Sequence, residues 1–287
     1  MKLSKEVVQK VRAIEIHTRR LLSGTLVGDY SSARKGSGLE FDQIRDYQEG
    51  DDVRFIDWKA TARQDKLLIR EYIEERSRSL IIVVDVSAST FFGSSLELKH
   101  DCYAQIASVL ALVGDYSKDH VGLIMFSDAV HTVIPPKAGR QHVRKIMEEL
   151  FDHKPSGKTF LQPALQRLIQ MNRKDAIVFL ISDFFVDSGY EKLLRIVCKK
   201  YDTIAIRCLD RREITMPEVG LLPVRDPETG EQGYLKTSSA AVHESIKIRN
   251  KETEYILKKS GADLFDLELE KPFVGELVRL CRKRMSL

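Results

Sequence analysis

Residues 80–90 read LIIVVDVSAST, an apolar run that ends in three evenly spaced oxygen donors, Asp85, Ser87 and Ser89. The run is rich in Val and Ile and has the length of a buried strand. In an extended chain alternate side chains share a face, which favours one side for all three donors. The carboxyl ends of strands in an open α/β sheet border the crevice in which ligands bind. This stretch therefore predicts both a central strand and a ligand site at its end.

Two further oxygen donors stand in similar surroundings. Thr159 lies in the loop SGKTF, just before a helical pattern, and Asp183 ends the apolar run VFLISDF. We expect both side chains at the same edge of the sheet as the donors of the first strand.

Strand-like and helix-like patterns alternate from Leu80 onward. Strands are predicted at 80–86, 121–127, 129–134, 175–182, 203–209 and 263–269, and helices at 96–116, 140–151, 160–171, 189–200, 241–259 and 273–284. The alternation predicts an α/β fold, a doubly wound, mainly parallel sheet with helices on both faces. The short link between the second and third strands predicts an antiparallel edge pair. The turn-like PETGEQG predicts a hairpin insertion within 211–240.

The N-terminal part has a different character. Leu3, Val7, Val11, Ile14 and Leu21 recur at helical spacing, and a loop rich in Gly and Ser follows at 23–38. A segment dense in charges and aromatic residues then continues to Arg78, with LLIREYIEE as an extended stretch. We expect residues 1–78 to be an extension packed on a main domain at 79–287.

Composition bounds the class of protein. The 287 residues are 43% apolar, and the net charge of +4 gives no general attraction to nucleic acid. Four scattered cysteines without a CxxC pair favour reduced thiols. The sequence has neither a secretory signal nor a stretch long enough for a transmembrane helix. We therefore expect a cytoplasmic protein.

The five oxygen donors suit a hard divalent cation. Two carboxylates and three hydroxyls are ligands that Mg²⁺ accepts, with Mn²⁺ and Ca²⁺ as alternatives. We expect Ser87, Ser89 and Thr159 as direct ligands, and Asp85 and Asp183 as ligands or as holders of coordinated water. An acidic side chain of a partner protein would complete such a site, which indicates a binding module and not an enzyme.

Other interpretations of the same residues stay open. Ser87 and Ser89 could only cap a helix, with no role for a metal and a purely structural scaffold as the result. Asp85 could be the nucleophile of a haloacid-dehalogenase-like phosphatase, although the position of the general acid is occupied by Ser87. SGKT lacks the first glycine of a phosphate loop, because Asp152 stands there.

The five donors resemble the metal-ion-dependent adhesion site of von Willebrand factor A domains. In that site an Asp-x-Ser-x-Ser motif follows the first strand, a Thr comes from a loop, and an Asp ends a later strand. All these positions are matched here. The resemblance covers residues 79–287 and implies a metal-binding, protein-binding α/β domain.

Residues 36–77 resemble a bacterial domain-of-unknown-function family, number fifty-eight. The matching pieces are Glu40-Phe41, Arg45-x-Tyr47, Gly50-Asp51-Asp52, Arg54, Ile56-Asp57-Trp58 and Ala62-Arg63. Members of that family are often associated with MoxR-type AAA+ ATPases in a proposed chaperone-like assembly or maturation role. The resemblance implies such an ATPase, or a client protein, as partner. Many members have N-terminal transmembrane helices, and this sequence contains none.

The charged segment has two interpretations. Its alternating Arg and Asp residues favour an ion-pair network that fastens it to the main domain, with Trp58 as a packing anchor. Alternatively Arg54, Asp57, Trp58 and Arg63 form a docking surface, since Trp and Arg are typical of interface hot spots.

Overall fold

A computed structural model describes residues 5–26, 39–64, 66–74, 78–93, 98–171, 173, 176–186, 189–269 and 271–285. The predictions on Leu3, on most of the loop at 23–38 and on residues 96–97 lie outside these ranges.

Helices and strands alternate through the larger part of the chain, as the sequence patterns predict. The strands are β1 Leu39–Asp46, β2 Leu68–Glu74, β3 Ser79–Asp85, β4 His120–Phe126, β5 Val130–Lys137, β6 Ala176–Ser182, β7 Asp202–Leu209, β8 Leu221–Arg225, β9 Gln232–Lys236 and β10 Asp263–Glu268. The helices are α1 Lys5–Leu26, α2 Trp58–Gln64, α3 Lys99–Tyr116, α4 Arg140–Asp152, α5 Gln162–Gln170, α6 Glu191–Lys200, α7 Arg211–Ile214, α8 Ala240–Ser260 and α9 Val274–Met285. Short 3₁₀ turns lie at Val53–Phe55 and Ala88–Phe91.

The central sheet has the strand order β10-β7-β6-β3-β4-β5. Its neighbouring strands are parallel except for β5, which runs antiparallel to β4 at one edge. The predicted α/β fold with one antiparallel edge pair is therefore confirmed. The hairpin β8-β9 forms a separate two-stranded sheet within the predicted insertion.

The core explains why the strands lack polar alternation. Every residue of β3 and β6 is buried, because helices cover both faces of the sheet. On one face Ile81 and Val83 belong to a cluster with Leu165 and Leu168 of α5, which α6 and α8 extend. Helix α3 packs on the other face together with α4 and α9. The two layers hold the strand ends in a fixed position, which is what a ligand site at this edge requires.

The chain divides into two compact units. The larger contains Met1–Thr25 and Arg78–Leu287, and the smaller contains Leu26–Ser77. Helix α1 thus groups with the larger unit, whereas the sequence analysis grouped it with the segment that follows it. Within the smaller unit, β1 and β2 pair antiparallel. Every described helix is either too short or too polar to cross a lipid bilayer.

Candidate metal centre

The predicted site lies where the winding of the sheet reverses. Strand β3 has β4 on one side and β6 on the other, and the chain reaches these neighbours through connections that lead in opposite directions. The carboxyl ends of β3 and β6 therefore border the switch point, the usual place for a ligand in this class of sheet. Asp85 is the last residue of β3, and Asp183 directly follows β6.

Asp85 is a buried carboxylate with both oxygens engaged. Its side chain is 1% exposed. Its Oδ1 accepts the amide of Ser87 at 2.9 Å, and its Oδ2 accepts the hydroxyl of Ser182 at 2.8 Å. Burial, and then the nearby charge of Asp183, raise the pKa of Asp85 to about 6. A carboxylate held in this way is oriented but short of positive charge.

Three hydroxyl groups form a compact triangle beyond Asp85, which we call the hydroxyl triad: Ser87, Ser89 and Thr159. The Oγ of Ser87 lies 2.8 Å from the Oγ of Ser89 and 2.8 Å from the Oγ1 of Thr159. The third side, between Ser89 and Thr159, measures 3.3 Å. The structure therefore brings together the hydroxyl donors that the sequence analysis selected, although Thr159 is distant in sequence.

The backbone at Ser87 and Ser89 differs from a simple continuation of the strand. The backbone of Ser87 is extended, and a 3₁₀ turn from Ala88 to Phe91 follows it. Ser89 belongs to this turn, which places its hydroxyl beside those of Ser87 and Thr159. Ser87 stands at the N-cap of that turn, but its side chain makes no capping hydrogen bond. The capping interpretation of Ser87 is therefore wrong.

Backbone hydrogen bonds hold the loop that carries Thr159. The amide of Ser156 donates to the carbonyl of Val86, and the amide of Ala88 donates to the carbonyl of Gly157. Gly157 has φ +79°, and a Cβ atom there would lie 2.6 Å from Asp128 Oδ1 and 2.7 Å from Ser127 Oγ. Only glycine combines this left-handed backbone with so close an approach.

We expect Gly157→Ala to destabilise the protein by about 2 kcal/mol, because left-handed strain adds to the displacement of the Asp128 and Ser127 side chains. Gly220→Ala is the matched control, since Gly220 has φ +86° and a Cβ atom there would meet no other atom within 4 Å. The control should lose only the strain, about 1 kcal/mol. Urea unfolding of both variants gives the comparison, and equal losses would show that the loop tolerates the added methyl group.

Asp183 is neutralised by a buried lysine. Lys99, in the first turn of α3, is 1% exposed and donates to Asp183 Oδ2 at 2.7 Å and to Glu213 Oε1 at 2.5 Å. Burial alone would lower the pKa of Lys99, but the charges of Asp183 and Glu213 more than offset it and raise that pKa. Asp183 Oδ1 accepts the amide of Phe185 at 3.0 Å. Asp183 therefore carries less uncompensated charge toward the triad than Asp85 does.

Two neighbouring features show that this edge is under strain. Phe184, next to Asp183, has a positive φ of 58°, which is costly for a bulky residue. The hydroxyl of Tyr103 is fully buried and has no hydrogen-bond partner among the described residues. Burial, and next the charge of Asp183, raise the pKa of Tyr103. An unsatisfied hydroxyl costs about 1–3 kcal/mol unless a water or an ion-bound ligand satisfies it.

The donor set fits a small hard cation. In an octahedron with metal–oxygen distances of about 2.0–2.1 Å, neighbouring oxygens lie about 2.9 Å apart. The three hydroxyls are hydrogen-bonded to one another, and the resulting sides of the triad, 2.8, 2.8 and 3.3 Å, also fit one face of such an octahedron. The described residues contain no group of three or more His, Cys, Asp or Glu side chains that could hold a metal ion. A cation here would depend on hydroxyl ligands and on Asp85, the chemistry of magnesium.

The sequence matches a family through most of its length. The family described as "Protein of unknown function DUF58" matches residues 43–255. The chain belongs to the DUF58 family. An uncharacterized protein of Mycobacterium tuberculosis is 28% identical over 286 residues, covering 96% of this chain and 88% of its own length. The uncharacterized protein YeaD of Bacillus subtilis is 27% identical over 109 residues, covering 37% of this chain and 25% of its own length.

Comparison with solved structures finds similar chains. The conserved hypothetical protein BatB from Bacteroides thetaiotaomicron is 14% identical, with a TM-score of 0.51 over 73% of this chain and 98% of its own. The SpRpn10 VWA domain is 13% identical, with a TM-score of 0.40 over 71% of this chain and 95% of its own. The likeness to BatB shows that the α/β fold of this DUF58 protein occurs in a solved structure.

The charged segment of the DUF58 chain forms ion pairs between its own residues. Arg45 pairs with Asp51 through two hydrogen bonds of 2.7 and 2.8 Å. The side chain of Trp58 is 67% exposed, so it is not an anchor within the smaller unit itself. The indole ring lies exposed at the start of the short helix α2.

The four predicted docking residues have different surroundings. Asp57 is 8% exposed, caps α2 through the amides of Lys59 and Ala60, and pairs with Arg70 at 2.8 Å. Arg54 pairs with Asp52, and Arg63 is exposed. Asp57 thus holds the segment together, while Trp58 is the one of the four with a large exposed apolar surface.

Three residues near the site were missed by the sequence analysis. One sequence feature indicates that Lys99 is buried: it falls on the same face of the predicted helix as Cys102 and Ile106. Glu213 forms a capping box with Asp210 at the start of α7. The sequence pattern indicates this capping role but not the contact of Glu213 with Lys99. Glu228, in the tip of the hairpin, accepts a hydrogen bond from Thr159, and its sequence surroundings give no sign of that contact.

Proposed function

We propose that this protein is a metal-dependent protein–protein interaction module that holds a divalent cation, Mg²⁺ in cells, at the hydroxyl triad. Ser87, Ser89 and Thr159 would be direct ligands, and Asp85 and Asp183 would supply charge and hold coordinated water. The observation that carries the proposal is the triangle of hydroxyl oxygens, with the spacing of an octahedral face, at the switch point of the sheet.

The surface around the triad supports a role in binding a protein. Phe91 and Phe92 lie within three residues of Ser89 in the chain, and Phe160 directly follows Thr159. Their side chains are 53%, 40% and 38% exposed. Aromatic side chains, phenylalanine included, are enriched in protein interfaces. The partner that fits is a protein segment with an acidic side chain for the cation and apolar neighbours for the phenyl rings.

The resemblance of the DUF58 segment to MoxR-associated proteins supports one class of partner. We propose a MoxR-type AAA+ ATPase, or a client protein that such an ATPase processes, in chaperone-like assembly or maturation. The proposal assigns the module to the cytoplasm, where such an ATPase works. Mn²⁺ or Ca²⁺ would serve as alternative ions for the same oxygen ligands.

A phosphatase is the alternative that the geometry favours less. Asp85 is buried, with hydrogen bonds on both oxygens, and the position two residues later is Ser87, which belongs to the triad. An aspartyl phosphatase needs an acid in that position to protonate the leaving group. Turnover of an aryl phosphate in Mg²⁺ that stops in Asp85→Asn would establish the phosphatase and remove the binding module.

A pulldown with tagged protein from a lysate of the source organism tests the proposal. We expect the ATPase or its client to be recovered in Mg²⁺ and to fall to background in EDTA and in Asp85→Asn. Glu252→Gln, the same change at an exposed position on α8, should behave as wild type. Equal recovery in every condition would contradict metal-dependent binding and transfer the docking surface to the segment that contains Trp58.

A further inference from the structure

The hairpin β8-β9 brings a carboxylate to the hydroxyl triad. Thr159 Oγ1 lies 2.5 Å from Glu228 Oε1, in addition to its contacts with Ser87 and Ser89. Glu228 is separated from Thr159 by 69 residues of sequence and belongs to the insertion between the last two parallel strands of the sheet. The protein itself therefore supplies an acidic side chain at the place where a partner's acidic side chain would be expected.

The turn of the hairpin is built to present Glu228. The Asp226 side chain accepts the amide of Glu228 at 2.7 Å and the amide of Thr229 at 3.2 Å. The amide of Gly230 donates to the carbonyl of Asp226 at 2.8 Å, and Gly230 has φ +75°. In such a turn the aspartate side chain fixes the backbone of the residue two positions later, which here is Glu228. Glu228 is thus positioned by its own turn before it meets Thr159.

Packing holds the hairpin only weakly. Leu221, Val224 and Tyr234 are 65%, 38% and 75% exposed, so the two strands bury little apolar surface. The base of the hairpin is fastened where Thr237 donates to the carbonyl of Gly220. The tip of the hairpin, in contrast, contacts the loop at the end of the central sheet through the hydrogen bond between Glu228 and Thr159. An element with few buried contacts opens at low free-energy cost.

We propose that Glu228 is a ligand of the metal site, supplied by the hairpin, and that it occupies the coordination position beside Thr159 which a partner's carboxylate takes when the hairpin moves away. This inference rests on the proposed function, because it requires a cation at the triad. In this arrangement the hairpin insertion competes with the partner protein. Glu228 and the partner's carboxylate replace each other as ligands of the cation.

Charge balance explains why the two carboxylates would exchange and not bind together. Asp85, Asp183 and Glu213 together with the ammonium of Lys99 leave two uncompensated negative charges. A divalent cation balances these two charges. One further carboxylate makes the site singly negative, and a second would add like-charge repulsion in a buried setting. The site therefore accommodates Glu228 or an external carboxylate.

Mn²⁺ is the probe for a test, because its electron paramagnetic resonance signal reports free ion and its effect on water relaxation reports the number of coordinated waters. Glu228→Gln should bind Mn²⁺ about tenfold more weakly than wild type, since one charged ligand is lost. The bound ion should also gain one inner-sphere water. Glu231→Gln is the matched control, because it removes the same charge from the same hairpin at an exposed position, and it should behave as wild type.

The outcomes separate this inference from the proposed function. If wild type and Glu228→Gln bind Mn²⁺ with the same affinity and the same number of waters, the metal site stands and Glu228 is not its ligand. If Glu231→Gln weakens binding as much as Glu228→Gln does, the effect is a general loss of charge and the inference is overturned. If wild type binds no Mn²⁺, the proposed function and this inference fall together.

Discussion

Lys99→Met should cost about 3–5 kcal/mol of unfolding free energy, a large fraction of the stability of an ordinary domain. Methionine preserves most of the volume of the lysine side chain but removes its charge. Asp183 and Glu213 would then be buried beside each other, 7% and 17% exposed, without the ammonium that lies 2.7 and 2.5 Å from their oxygens. Burial already raises the pKa of Glu213, so loss of the cation leaves two costly carboxylates.

Urea unfolding provides the measurement, with Lys145→Met as the control on an exposed position of α4. The control should change stability by no more than about 0.5 kcal/mol. The double variant Lys99→Met with Glu213→Gln should recover part of the loss, because one of the two unpaired charges is gone. A loss below about 1 kcal/mol in Lys99→Met would contradict a structural role for the buried ion pairs.

Asp85→Asn should have opposite effects on stability and on metal binding. In EDTA we expect the variant to be more stable than wild type by about 1–3 kcal/mol, because a pKa raised by one unit corresponds to about 1.4 kcal/mol. The folded-state pKa of about 6 lies above the ordinary value of 3.8. The ionised carboxylate therefore destabilises the fold fully above about pH 6, and this cost disappears as the pH falls toward about 4. Asparagine removes this cost of the charge at every pH, but it keeps only one acceptor oxygen and so gives up one of the two hydrogen bonds that Asp85 accepts.

The same variant should lose the stabilisation that Mg²⁺ gives to the wild-type protein. A ligand that binds only the folded state raises the unfolding free energy, by about 2.7 kcal/mol at about one hundred times its dissociation constant. Thermal unfolding of wild type and of Asp85→Asn at about pH 7.5, each in EDTA and in Mg²⁺, gives the four unfolding free energies that the comparison needs. A variant that is less stable in EDTA would show that the charge of Asp85 serves the fold alone, as a scaffold interpretation requires.

Most of the site could be predicted because its residues lie in strong local patterns. The apolar runs before Asp85 and Asp183 are unmistakable strands, and parallel strands place their carboxyl ends at one edge. Thr159 could be placed near this edge from its position before a helical pattern, but no local pattern encodes the backbone hydrogen bonds to Val86 and Ala88 that hold its loop there.

Lys99 and Glu228 show what local patterns leave out. A lysine near the start of a helix is usually solvated, and only the assembled fold shows that two carboxylates surround Lys99. Glu228 lies in a turn whose sequence predicts the hairpin but not its direction, since the direction depends on how the base of the hairpin joins the domain. A lone tryptophan is highly buried on average, whereas Trp58 lies at the start of a short helix of the smaller unit and is 67% exposed.

Isothermal titration of the purified protein with Mg²⁺ tests the central claim most directly. We predict that wild type binds one Mg²⁺ ion per chain, and that Asp85→Asn, which keeps the shape of the side chain, binds it at least about tenfold more weakly. Wild-type protein that binds no divalent cation, or a variant that binds it as tightly as wild type, would contradict a metal site at the hydroxyl triad.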